Sequence, residues 1–598
     1  MKIPAQIRAP RAESLDFGPL LTADGVVFRL WAPSHASVEL EIENRPPVRM
    51  AVRADGWHET LLPRAGAGTR YRFVLPDGRC VIDPASRFQP DDVHGFSEVV
   101  DPYSYQWTTE NWRGRPWYEA VLYELHIGTF SEAGTFRGAI EKLDHLAGLG
   151  VTAIEIMPIA DFSGRWNWGY DGVLPYAPDS AYGRPDDFKA LIDAAHRRGL
   201  MVILDVVYNH FGPDGAYVHA VAPEMFTDRR QTPWGKAINT DGPMAWGVRE
   251  FFVQNALYWI EEFRIDGLRL DAVHAIRDES SRHFLSELAG RVRGGIGDRP
   301  VHLILENEEN EATRLAPLGL YTAQWNDDVH HVLHVALTGE RSSYYADYVG
   351  DTHKLGRALA EGFAYQGEVM PFRGSKRGEA STSLPPTAFV AFLQNHDQIG
   401  NRPMGERLIS QASTEALRAA AATYLLLPQI PMLFQGEEWG ARQPFPFFCD
   451  FTGDLAEAVR TGRREELKKC PDRLTGEPPD PLDQATFQAA KLDWPQRAHG
   501  AHADWLSWYR RILHVRRTSI LPLLKDLSAA GQYEIIGEGA VVVRWAVAGR
   551  AILMLAANLS AQEVDGFPED GAHVIWTEGS AQDGRYGSWT VRWSVTAV

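Results

Sequence analysis

Three apolar runs of this chain end in carboxylates: Leu268-Arg269-Leu270-Asp271-Ala272-Val273-His274, Leu303-Ile304-Leu305-Glu306-Asn307-Glu308 and Phe392-Leu393-Gln394-Asn395-His396-Asp397. A fourth, Asp205-Val206-Val207-Tyr208-Asn209-His210, carries an acid, an amide and an imidazole, with Asp205 and Asn209 on one face of Val207. Residues two apart in a strand project to the same side, so Arg269 and Asp271 point one way while Leu268 and Leu270 pack the other. An arginine beside a carboxylate keeps it ionised, which suits a nucleophile. The same pair also reads as a buried ion pair that only ties strands together. Glu306 follows three aliphatic residues, where desolvation raises a carboxyl's pKa and keeps it protonated for general-acid work. Glu308 shares that spacing, and the cluster Glu306, Glu308, Glu309, Glu311 also reads as a solvated acidic loop. His396 and Asp397 suit a metal, a sugar or a helix cap. Two carboxylates with a third nearby, Arg and His donors and 19 tryptophans point to glycoside chemistry, in which one carboxylate attacks and another protonates the leaving oxygen.

Such side chains need strands to carry them. Eight apolar runs alternate with amphipathic segments: 121–127, 151–157, 201–207, 267–271, 301–306, 321–327, 388–393 and 430–434. Helices are expected over 137–149, 186–198, 249–263, 280–293 and 415–427, and a further one over 505–517 closes the set. Eight strands with intervening helices make an α/β chain, a (β/α)8 TIM barrel with long loop insertions, whose active site lies at the C-terminal strand ends. A doubly wound open sheet is the structural alternative. Before the barrel, short runs at 26–31, 38–42, 57–62 and 71–75 alternate with turns and read as an N-terminal antiparallel β-sandwich. After it, 533–545, 551–558 and 589–594 read as a C-terminal one. The expected domains are residues 1–110, 111–520 and 521–598. The Pro-, Asp- and Gly-rich stretch 470–483 reads as a barrel insertion.

The 598 residues include 60 Lys and Arg against 78 Asp and Glu, a formal charge of −18 that opposes binding to nucleic acid or an anionic membrane. The 44% hydrophobic content excludes a disordered chain. Three widely spaced cysteines, Cys80, Cys449 and Cys470, exclude a disulfide framework and a CxxC metal knuckle. Residues 1–18 carry Lys2, Arg8 and Arg11 without a signal-length apolar stretch, and the run 419–434 is too interrupted to span a bilayer. A cytoplasmic enzyme without a cofactor is expected. No DxDxDG loop or histidine cluster offers a metal site, and oligomeric state is not legible.

The ordered set of Asp205 to His210, Gly267 to His274, Glu306 with its strand and Asn395 to Asp397 resembles the four motif regions of the α-amylase superfamily of retaining glycoside hydrolases and transglycosylases. The resemblance implies a nucleophile at Asp271, an acid/base at Glu306 and a transition-state stabilising carboxylate at Asp397. It further implies sugar-holding roles for Arg269, His210 and His396, with Asp205 and Asn209 in the same motif, and a ring-stacking tyrosine at Tyr170 in Trp168-Gly169-Tyr170-Asp171. Asn310, four residues beyond Glu306, aligns with an asparagine of the family and favours Glu306 over Glu308. The stretches 323–331, 337–341, 394–402, 436–440 and 446–451 are similar to those superfamily members that cut the α-1,4 bond next to the terminal trehalose of maltooligosyltrehalose. That likeness implies an oligosaccharide substrate. Its trehalose would be recognised on the leaving-group side, with Trp325, Asp327 and Phe372 as candidates. A glycogen branching enzyme, with a sugar hydroxyl in place of water, and a silent carbohydrate-binding scaffold are the competing readings. A retaining enzyme requires the carboxyls of Asp271 and Glu306 about 5 to 5.5 Å apart.

Overall fold

Eight parallel strands close on themselves: β1 (Leu122–Leu125), β2 (Ala153–Ile156), β3 (Met201–Val206), β4 (Gly267–Leu270), β5 (His302–Leu305), β6 (Ala323–Trp325), β7 (Phe389–Ala391) and β8 (Ile430–Phe434). The computed structural model describes residues 15–297, 299–468, 476–568 and 572–597. Each strand pairs in parallel with the next, and β8 pairs with β1, which excludes the open doubly wound sheet. The strands read as apolar runs because both faces are covered. Their alternation appears in the core itself. Leu122, Ala153, Met201, Ile203, Ile304, Ala323, Val390 and Met432 fill the barrel interior as one buried cluster. Their neighbours Tyr123, Ile154, Val202, Leu268 and Leu303 belong to a second cluster, packed under the surrounding helices. A Cβ on Gly267 would lie 2.2 Å from the carbonyl oxygen of His302, so β4 and β5 approach as they do only with glycine there.

The helices of the outer ring include α1 (Pro185–Arg197), α2 (Ala245–Glu262), α3 (Phe284–Gly295), α4 (Asp327–Thr338), α5 (Thr414–Leu426) and α6 (Gly500–Val515). The helix expected over 137–149 is instead two, Phe136–Ile140 and Leu143–Leu149, separated by a turn at Glu141 and Lys142. The run 321–327 stops as a strand at Trp325; Asn326 takes the N-cap position and Asp327 opens α4. After β8 comes the helix Gly453–Leu467, absent from the sequence reading, and then the described part of the stretch 470–483. Cys470 and the N-terminal residues Lys2, Arg8 and Arg11 lie outside the described residues.

The N-terminal strands form two antiparallel sheets, one of four strands around Gly25–Trp31 and Trp57–Pro63, the other of five around Glu39–Ile42 and Arg70–Val74. This sandwich docks on α2. Gln254 Oε1 accepts the Asp16 N–H at 2.7 Å, and Phe17 meets Phe251 edge-on at 5.1 Å. The C-terminal sandwich has a five-stranded and a three-stranded sheet. The run 533–545 is a hairpin, Gln532–Gly537 and Ala540–Val547, turning at Glu538 and Gly539; the strand His573–Glu578 was not foreseen. Trp593 of this sandwich donates its indole N–H to the Ala422 carbonyl of α5 at 2.9 Å. Arg516, buried after α6, donates to the carbonyls of Leu425, Leu427 and Gln429. Among the described residues no helix is long and apolar enough to cross a membrane.

Candidate active site

Arg269 is the inward residue of β4 just before the strand ends, and its guanidinium, 1% exposed, organises the barrel mouth. Nη1 donates to Asp205 Oδ2 at 2.8 Å and to Asp271 Oδ1 at 2.9 Å, while Nη2 lies 2.9 Å from Glu306 Oε2. The cation also rests over the Trp325 ring, 4.0 Å from its centroid. β3, β4 and β5 are neighbours in the barrel, which is why Asp205 and Glu306, far apart in sequence, meet on the one Arg269 side chain. Asn209 donates its amide to Asp271 Oδ2 and to the Asp271 carbonyl, both at 2.8 Å. Beyond Asp271 the chain turns through Ala272 at φ +40°, a left-handed conformation that aims the Ala272 N–H at Glu306 Oε2, 2.8 Å away.

These contacts drive the two carboxyls apart in acidity. Burial pushes Asp271 up, but Arg269, His210 and Asn209 outweigh it and hold the carboxyl below its usual range. Burial pushes Glu306 well up as well, and there the charges of Asp271 and Asp397 add to the desolvation, so that Arg269 alone does not reverse it. Asp397 is also raised, by burial against the opposing pull of His396 and Arg269. Glu308 is elsewhere: its side chain is 58% exposed, 4.0 Å from His274, and its carbonyl receives Arg373 and Arg377. The geometry therefore separates Glu306 from Glu308, which spacing alone left open.

Asp397 arrives on a short helix, His396–Gly400, capped by Asn395, whose side chain accepts the N–H groups of Asp397 and Gln398. Its Oδ1 takes the Asn401 amide at 2.9 Å. His396 ion-pairs through Nδ1 with Glu124, which also accepts the His396 N–H at 3.1 Å. Burial lowers this imidazole's pKa, but the charge and hydrogen bond of Glu124 more than reverse that, leaving it raised. Tyr170 stacks on His396 with 5.0 Å between centroids and donates its hydroxyl to Asp205 Oδ2 at 2.7 Å. His210 donates to the Tyr170 carbonyl at 3.0 Å and hydrogen-bonds Asn209.

Asp205, Asn209 and Trp325, read from sequence as sugar contacts, hold the catalytic-site side chains in this structure. All three are buried behind the carboxylates. Asp205 and Trp325 hold Arg269, and Asn209 holds Asp271. Asp205, desolvated there, has its pKa pushed up to about 6. Asp327, at the start of α4, is half-buried and pushed up to about 7 by burial, with the charges of Glu308, Asp328 and Asp397 opposing Arg377. Phe372 is 57% exposed at the tip of a hairpin, Val369–Met370 with Ser375–Lys376, edge-on to Tyr344. Next to it Arg373 reaches Glu309 and the Glu308 carbonyl, which sets the hairpin beside the loop that follows Glu306.

Three residues of this region escaped the sequence reading. Glu124 and Glu155 are inward carboxylates in the otherwise apolar runs of β1 and β2, the same signal that drew attention to Asp205. Glu155, desolvated and beside the Glu124 charge, is held well above the carboxylate range. Trp234 left no such signal. It stands on the hairpin Phe226–Thr232 with Gly235–Ile238, nearly half exposed, with its ring parallel to that of His210 at 5.0 Å. No group of three or more His, Cys, Asp or Glu side chains able to hold a metal occurs among the described residues.

Residues 102–247 match the family model for the alpha amylase catalytic domain, and 528–594 match a domain of unknown function, DUF3459. A malto-oligosyltrehalose trehalohydrolase of Saccharolobus solfataricus is 43% identical over 531 residues, covering 88% of this chain and 91% of its own. Another, from Deinococcus radiodurans, is also 43% identical, covering 83% and 82%. A crystal structure from Salmonella typhimurium, of a protein provisionally named an alpha amylase, superposes with a TM-score of 0.93 at 46% identity, covering 97% of this chain and all of its own. With identity of this extent on a closed barrel of the α-amylase type, the chain is a glycoside hydrolase and belongs to the malto-oligosyltrehalose trehalohydrolase family.

Proposed function

We propose that this enzyme hydrolyses, with retention, the α-1,4 bond joining a terminal trehalose unit to a malto-oligosaccharide, releasing trehalose. Asp271 attacks the anomeric carbon while Glu306 protonates the departing trehalose oxygen, giving a β-glycosyl ester on Asp271. Glu306, now ionised, takes a proton from water, which opens the ester and restores both carboxyls. The observation that carries this assignment is the shared guanidinium of Arg269 with opposite acidities on its two partners. Asp271 is held low and Glu306 high, the pattern of a nucleophile and an acid in one site. Asp397 and His396, whose pKa the Glu124 carboxylate raises, supply an acceptor and a donor for sugar hydroxyls, and Tyr170 a ring face.

The trehalose-recognising side is assigned to Asp327 and Phe372, because the α4 start and the Phe372 hairpin flank the loop beyond Glu306. A cytoplasmic place of work fits the free thiols of Cys80 and Cys449. The test is chromatography of the products of maltotriosyltrehalose: maltotriose and trehalose in equal amounts support the reading. New α-1,6 branches in amylose would favour the branching enzyme, and no turnover of either would leave the silent scaffold.

A further inference from the structure

A cavity of about 590 Å³ lies away from the barrel mouth, in the seam between the barrel and the C-terminal sandwich. One wall is the far part of α4, from Val332 to Gly339, with Arg341 and the start of the helix Thr352–Glu361; the other is the Glu538-Gly539 turn, the loop Leu559–Gln562 and Trp589. The walls are pinned where Gly539 donates its N–H to Thr352 Oγ1 at 2.9 Å. Val335, Ala336, Leu355 and Val564 make an apolar floor.

The rim is of another character. The side chains of Arg341, Glu538 and Gln562 are exposed and make no hydrogen bond or ion pair among the described residues, and neither does the indole N–H of Trp589. Trp589 lines the cavity from a left-handed backbone conformation, φ +52°, which a bulky L-residue adopts only where its surroundings enforce it. An aromatic plane, an apolar floor and free donors and acceptors of both signs suit a neutral polyhydroxylated ligand. Its pyranose faces would lie on the ring and its hydroxyls would meet the rim. A simple anion or cation finds no such match, because Arg341 and Glu538 cancel.

We propose that this seam is a second binding site for α-1,4-linked glucose chains, one that holds the distal units of a long substrate and raises its concentration at the barrel mouth. The inference rests on the proposed function for the identity of the sugar. Helix α4 joins the two places. Asp327 stands at its start, and at 1.5 Å per residue the stretch of α4 lining the cavity runs from about 8 Å to about 18 Å along the helix. A site at that remove acts through effective concentration, so it matters only for ligands long enough to engage both.

The test uses the full chain. Calorimetric titration of the Asp271→Asn enzyme with maltoheptaose, which it does not consume, is expected to resolve two classes of site. Adding Trp589→Ala, or separately Arg341→Ala with Gln562→Ala, is expected to abolish one class and leave the other. In the catalytically intact enzyme the same replacements are expected to leave kcat/KM on maltotriosyltrehalose within two-fold while lowering it at least five-fold on long trehalose-capped chains. Trp589→Phe, which keeps a ring, is expected to restore most of the loss, and the exposed Arg341 and Gln562 serve as the arm that does not threaten folding. A single class of site in the parent titration overturns the proposal, as does survival of both classes in the variants or an equal loss on short and long substrates. If no trehalose-capped substrate is cleaved, the functional reading fails instead, and the maltoheptaose titration still decides the second site.

Discussion

Asp271 and Glu306 touch the same guanidinium, yet their neighbours give them opposite acidities. Asn209 and His210 stabilise charge on Asp271, whereas Glu306 faces two other carboxylates. Asp271→Asn is therefore expected to keep fold and binding while losing several orders of magnitude in kcat, with no product of retained configuration on adding azide. Glu306→Ala is expected to remain measurably active on an α-maltosyl fluoride, whose departure needs no proton, and azide is expected to trap the ester as a retained glycosyl azide. Equal activity of that variant on the fluoride and the natural substrate would count against the assignment. The pH dependence follows from the same shifts. With Asp271 as the proposed nucleophile, held low, the acid limb of activity lies below the ordinary carboxylate range; with Glu306 as the proposed acid, held high, activity falls as pH rises through its displaced value. The profile of kcat/KM is thus a bell whose alkaline limb lies above the ordinary carboxylate range. Asp397→Asn, which removes one of the charges raising Glu306, is expected to move that limb to lower pH. Trp234→Ala, beside His210, is expected to raise KM several-fold on capped and uncapped chains alike. Phe372→Ala is expected to favour uncapped over capped substrate, measured as the ratio of the two kcat/KM values. The carboxylates were legible because each ends an apolar run. Trp234 was not, because a loop aromatic shows its purpose only when the fold brings it to His210.

Two elements set how accurately these groups are held. Asn395 caps the helix bearing Asp397 by accepting two N–H groups, while the Gln398 side chain accepts the Asn395 N–H in return. Asn395→Ala is expected to cost about 1 kcal/mol of stability and, through misplacement of Asp397, roughly ten- to a hundred-fold in kcat. Gly267→Ala is expected to be worse, since the added Cβ meets backbone rather than a movable side chain, and its melting temperature and activity should fall together. At this scale the sequence was readable where period and burial agree. All eight barrel runs contain a strand, because a strand covered on both faces is written in continuous apolar residues. The helix over 137–149 was misread because its apolar residues keep helical spacing across the Glu141–Lys142 turn. The 533–545 hairpin merged into one run because its two-residue turn leaves little polar sequence to see.

Across the whole molecule, one buried apolar cluster runs from Phe17, Phe28 and Tyr71 of the first sandwich, through the helices around the barrel, to Trp545 and Trp593 of the last. Domains that share a core are expected to melt together: calorimetry, tryptophan fluorescence and loss of hydrolysis should give one coincident transition. A sandwich melting well before the activity is lost would disprove that coupling. The three-part plan was visible in the change from turn-punctuated short strands to βα units and back. The seams were not, because docking partners such as Gln254 with Asp16, or Trp593 with Ala422, lie more than 150 residues apart and carry no local pattern. The last of these seams limits how such enzymes can be recombined. The final sandwich meets the barrel through α5, where the Ala422 carbonyl receives Trp593. A chimaera made by exchanging the C-terminal sandwich at its linker would part Trp593 from its acceptor, so grafts between relatives must carry α5 with the sandwich.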